Sequence, residues 1–113
     1  MTTVIVIDDD HDSVSSLSDL LEQKGIKVVG KGKNGLEAVN LFNRTSPNFS
    51  IIDMRMPQFD GKYAIEQIKK QDPNAKIIAI TAYPFNEIKT AGVLGIVRKP
   101  YQISEILELM GVK

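Results

Sequence analysis

Apolar residues along this chain fall into two alternating rhythms. Short runs rich in β-branched residues read as buried strands: Thr3 to Ile7, Ile26 to Val29, Phe49 with Ile51 and Ile52, Ile77 to Ile80, and Gly95 to Arg98. Between them apolar residues recur at helical spacing. Val14, Leu17, Leu20 and Leu21 predict the buried stripe of a first helix, and Leu36, Val39 and Phe42 that of a second. Ala64, Ile65 and Ile68 mark a third. Pro84 to Ala91 has room only for a short fourth, and Ile103, Ile106, Leu107 and Met110 give a last one. The punctuation agrees. Asp10 is placed as an N-cap with Asp12 in the first helical turn, and Gly25 as the residue that closes that helix. Ser46-Pro47-Asn48, Asp72-Pro73 and Gly92 fall where helices must stop.

Strand and helix thus alternate five times, which predicts an α/β fold: one parallel sheet, right-handed crossovers and helices on both faces. With 113 residues the chain suffices for one domain, 1–113, and it shows no repeat or linker. In an open α/β sheet, ligands bind beyond the carboxyl ends of the strands, where the strand order switches. Polar residues stand at those ends: Asp8 and Asp9 after the first strand, Asp53 after the third, Thr81 after the fourth and Lys99 after the fifth. In the flavodoxin-like order 2-1-3-4-5 the first and third strands are neighbours. That order belongs to the fold type and is not derivable from this sequence.

Composition narrows the chemistry. Fourteen basic and fourteen acidic residues balance, so nothing suggests a nucleic-acid or membrane surface. Cysteine is absent, which excludes disulfides and thiol chemistry. The apolar run at the N-terminus is too short for a signal peptide, and no stretch is long enough to span a bilayer. A cytoplasmic protein is expected. His11, the only histidine, is read as a surface residue of the first helical turn.

Carboxylates meeting at one crevice must bind a cation or take up protons. All-oxygen ligation with few protein ligands suits Mg²⁺, which often shares phosphate oxygens. A carboxylate can also attack phosphorus, giving an aspartyl-phosphate. Lys99 would then neutralise charge on the phosphoryl group and the Thr81 hydroxyl would bond its oxygen.

The sequence resembles the receiver domain of two-component response regulators, of the single-domain chemotaxis type, along nearly its whole length. The matching pieces are Ile7-Asp8-Asp9, Asn34-Gly35-Leu36-Glu37-Ala38, Asp53-Met54-Arg55-Met56-Pro57, Asp60-Gly61, Thr81-Ala82, Ala91-Gly92 and Lys99-Pro100. Each alone is weak; their order and spacing together are specific. The resemblance implies that Asp53 accepts a phosphoryl group from a phosphohistidine, on a sensor histidine kinase or a histidine phosphotransfer protein. It implies that Asp8, Asp9, Asp53 and the backbone carbonyl of Arg55 hold Mg²⁺, that Thr81 and Lys99 contact the phosphoryl oxygens, and that the Lys99–Pro100 bond is cis. The signal would pass to a downstream protein by contact, with no direct nucleic-acid or membrane binding.

Two departures stand out. Ile96 occupies the position where the family usually has an aromatic switch residue. The segment from Thr81 to Lys99 is shorter than usual by about one helical turn, so the fourth helix is expected to be stunted. The output surface is therefore expected around Tyr83, Phe85, Ile96 and Tyr101. Two other readings are open: a haloacid-dehalogenase-like phosphatase using the Asp8-Asp9-Asp10 pattern, and a pseudo-receiver that only binds a partner.

Overall fold

The computed structural model describes residues 1–82 and 92–112. Strands β1 (Thr3–Ile7), β2 (Lys27–Gly32), β3 (Phe49–Asp53), β4 (Ile77–Thr81) and β5 (Gly95–Arg98) form one parallel sheet in the order β2-β1-β3-β4-β5. The described helices are α1 (His11–Gln23), α2 (Gly35–Thr45), α3 (Gly61–Gln71) and α4 (Ile103–Met110). This is the flavodoxin-like arrangement expected for the fold type. Here α4 is the helix expected last. The short helix expected between Pro84 and Ala91, together with Tyr83 and Phe85, falls outside the described residues.

Side chains alternate across a strand, so each strand feeds both faces of the sheet. Val4 and Val6 of β1 join Ile51, Ile78 and Ile80 on the face covered by α1 and α4, through Val14, Leu17, Leu21, Ile106 and Leu107. Ile5 and Ile7 join Ile52 and Ile77 on the other face, against Ala38, Val39, Ala64, Ile65 and Ile68 of α2 and α3. Each Val, Leu or Ile side chain among them stabilises the fold by about 1.5–3 kcal/mol when fully buried.

In a parallel sheet the helices begin at the carboxyl ends of the strands, and polar residues cap them there. The Asp10 carboxylate accepts from the Asp12 N–H at 3.1 Å and the Ser13 hydroxyl at 2.8 Å. Asn34 accepts from the Glu37 N–H, and Asp60 from the Tyr63 N–H, each at 2.9 Å. Gly25 has φ +81°, the left-handed conformation that ends α1 as expected.

Three expectations need correction. The second strand runs from Lys27 to Gly32, not from Ile26 to Val29. As a sheet edge it needs no apolar pattern, and its pairing with β1 continues through Gly30, Lys31 and Gly32. Leu20 does not belong to the buried stripe; it is 40% exposed, and Ser18 takes the inward position. At about 100° per residue, Leu20 lies roughly a quarter turn off the stripe through Val14, Leu17 and Leu21. Leu36, in the first turn of α2, is likewise 40% exposed.

Candidate functional site

The carboxyl ends of β1, β3, β4 and β5 converge. Asp53 is the last residue of β3 and stays inside the ladder: its strand neighbour on β4 is Ile80, and the next residue, Met54, donates its N–H to the Ile80 carbonyl. The backbone that carries this side chain is therefore held by pairing with β4, while the pairing with β1 ends one residue earlier, at Ile52. Asp8 follows β1 directly, and its N–H donates to Gly32 O at 3.1 Å. Its carboxylate accepts from the Asp10 N–H at 2.9 Å. Asp53 and Asp8 are buried, at 5% and 8% exposure, whereas Asp9 is exposed. Each of the three offers a carboxylate oxygen, and these oxygens all lie within 4.8 Å of one another.

Lys99 faces this cluster. Its Nζ lies 3.2 Å from Asp8 Oδ2 and 3.5 Å from Asp53 Oδ2. Its backbone N–H donates to Thr81 O at 2.7 Å, which extends the β4–β5 pairing, and the Lys99–Pro100 bond is cis as expected. Thr81 ends β4 and is 2% exposed. Arg55 stands two residues past Asp53, and its N–H donates a long bond, 3.4 Å, to Asp53 Oδ1. It lines an open groove of ≈ 380 Å³ with Asp9, Met54, Met56, Pro57 and Asp60.

Charge within the cluster does not balance: three carboxylates meet one ammonium. Burial, and next the charge of Asp8, push the Asp53 carboxyl up to about 6, against which Lys99 pulls in the other direction. Burial works against the charged form of Lys99, but Asp53 and Asp8 outweigh it and raise the ammonium above its ordinary value. Such a centre lacks positive charge, and its all-oxygen donor set fits a hard divalent cation of the Mg²⁺ type.

Of the residues expected to carry output, Ile96 is half-buried on β5 beside Ala79. Tyr101 is half-buried against the core face of α1 and α4, and burial raises its phenol. Tyr83 and Phe85, the other two, lie outside the described residues. His11 opens α1 and is exposed, as expected. The pairing of Asp8 with Lys99 was not anticipated from sequence; the two are 91 positions apart, and only the order of strands brings them together.

Residues 4–110 match the family model of the response regulator receiver domain. The chain belongs to this family. The receiver is 34% identical to the chemotaxis protein CheY of Thermotoga maritima, over 95% of this chain and 92% of that protein. It is 30% identical to CheY of Listeria monocytogenes, over 97% and 96%. Among solved structures it resembles the Thermotoga maritima response regulator TrrA in complex with Mg²⁺-BeF, with TM-score 0.89 and 26% identity over 98% of this chain and 97% of that one. The CheY of a CheX-CheY-BeF3-Mg²⁺ complex from Borrelia burgdorferi shares the fold at TM-score 0.89 and 23% identity, over 96% and 86%.

The receiver is thus a regulatory domain, homologous to CheY and to response regulators, of the class that acts as a phospho-acceptor switch in two-component signalling. Nothing in these likenesses favours the phosphatase alternative. That reading needs Asp10 beside Asp8 in the site, and the Asp10 carboxylate is exposed and occupied in capping α1. Among the described residues no helix is long and apolar enough to cross a membrane.

Proposed function

We propose that Asp53 is the phospho-acceptor of this receiver and that a phosphohistidine, on a sensor histidine kinase or a histidine phosphotransfer protein, is the donor. The observation that carries the reading is the convergence of Asp8, Asp9, Asp53 and Lys99 from three separate strand ends. An Asp53 carboxylate oxygen attacks phosphorus as the bond from phosphorus to the imidazole nitrogen breaks. The electron pair leaves with the ring nitrogen. With its pKa near 6, Asp53 is mostly ionised at neutral pH and retains the lone pair this attack needs.

Asp8, Asp9, Asp53 and the Arg55 carbonyl would hold Mg²⁺, which supplies charge neutralisation for the phosphoryl oxygens. Lys99, already in contact with Asp8 and Asp53, would add a second positive charge to the cluster. Thr81, the last residue of β4, would bond a phosphoryl oxygen and so sense that the group has arrived. The signal then passes by protein contact to a downstream partner, through the region of Ile96, Tyr101, Tyr83 and Phe85.

The test is intact mass after treatment with a small phosphodonor. We expect one phosphoryl group per chain in wild type with Mg²⁺, none after chelation, and none in Asp53→Asn. Labelling of the Asn variant at the wild-type level would overturn the assignment.

A further inference from the structure

Two motifs of the sequence, Asn34-Gly35 and Asp60-Gly61, take no part in the chemistry above, yet both touch the segment that carries it. At Gly61 the backbone of α3 comes so close to β3 that an added Cβ would lie 2.7 Å from the Asp53 carbonyl oxygen and 2.7 Å from Met54 Cα. The Gly61 N–H donates to Met54 O at 3.2 Å, which closes the loop 54–61 at its base. At Gly35 the start of α2 meets the same loop near its end, just before Gly61. The Gly35 N–H donates to Phe59 O, and a Cβ there would lie 2.6 Å from Asp60 O and 2.8 Å from Phe59 O. All four of these neighbours are backbone atoms, so neither clash is relieved by turning a side chain.

The clamped loop contains Arg55, whose N–H bonds Asp53 Oδ1, and it walls the groove that Asp9 and Arg55 share. We propose that Gly35 and Gly61 are positioning residues of the phospho-acceptor site. By backbone contact alone they fix the height of the loop 54–61 against Asp53 and Asp9, and so set the affinity of the cluster for its cation. This rests on the cation reading given above. Groups that orient metal ligands without touching the metal typically change affinity by about 10–100-fold when altered.

The experiment is a Mg²⁺ titration followed by thermal unfolding, on wild type, Gly35→Ala, Gly61→Ala and Gly95→Ala. Gly95 is a comparator: a Cβ there would press on Leu109 at 2.5 Å, at the other end of the sheet. Any of the three variants should melt lower without metal. We expect the apparent Mg²⁺ dissociation constant to rise at least about tenfold in Gly61→Ala and several-fold in Gly35→Ala, and to stay at the wild-type value in Gly95→Ala. Wild-type Mg²⁺ affinity in Gly35→Ala overturns the inference, and that variant decides the matter if Gly61→Ala does not fold. A wild type whose melting ignores Mg²⁺ overturns the cation reading and this inference with it. A wild-type response that the glycine variants share overturns the inference alone.

Discussion

Ile52 and Asp53 are consecutive residues of β3, both almost wholly buried, and burial acts on them in opposite directions. Ile52, at 0% exposure, gains stability from leaving water. Asp53, at 5%, loses it, because its charge is desolvated and set beside that of Asp8. A single step along the strand crosses from the part of the molecule that makes the fold to the part that the fold must support. At the end of β3 the local cost of a buried charge is offset by the apolar interior of the same strand.

Substitutions sharpen the contrast in order of size. Ile52→Ala should be the largest, a loss of about 2–5 kcal/mol from a fully buried site, seen as a lower midpoint in urea unfolding. Asp53→Asn should go the other way. Without divalent metal at pH 7, it should raise stability, by about 3 kcal/mol at most, since it removes a charge that burial disfavours.

The pH dependence follows from the same group. A carboxyl whose folded pKa is about 6, against an ordinary 3.8, holds its proton more tightly folded than unfolded. It is without penalty at low pH, begins to destabilise near pH 4 and does so fully above pH 6. The stability advantage of Asp53→Asn over wild type should therefore be absent at pH 3.5, grow through pH 4–6 and level off above; an advantage that is flat with pH would contradict this account. Lys99→Ala should cost about 1 kcal/mol at neutral pH, a modest figure because the side chain is 31% exposed and the pairing is screened. It should also push the Asp53 carboxyl higher still, measurable by NMR titration of the side-chain carboxyl. Leu20→Gln should sit at the bottom of the scale, within about 0.5 kcal/mol of wild type in urea unfolding, because its side chain lies off the buried stripe.

Strand interiors were legible in the sequence because β-branched runs such as Ile77 to Ile80 have few other uses in a chain of this length. The rim was legible as residue types at strand ends, Asp8, Asp9, Asp53, Thr81 and Lys99. What was not legible is of two kinds. Edge strand β2 is held by backbone pairing, so Lys31 and Gly32 belong to it without any side-chain signal. The contacts of Gly35 and Gly61 are also made by backbone, and a glycine in a motif does not say which carbonyl it lies against. Leu20 shows the opposite failure: an apolar residue one step from the stripe satisfies a pattern that the rotation of the helix then excludes.

The order of strands has a kinetic consequence. β1 pairs with β2 and β3, never through a tight hairpin, because each parallel partner is reached only after a helical crossover. Closing such loops must precede any reward from pairing, which places this architecture among the slower-folding small domains. The contact between Asp8 and Lys99 spans 91 positions and needs β1, β3, β4 and β5 all in place. A chain still emerging from the ribosome has its acidic residues long before it has its lysine. On the phospho-acceptor reading proposed above, the site is complete only once the last strand has formed.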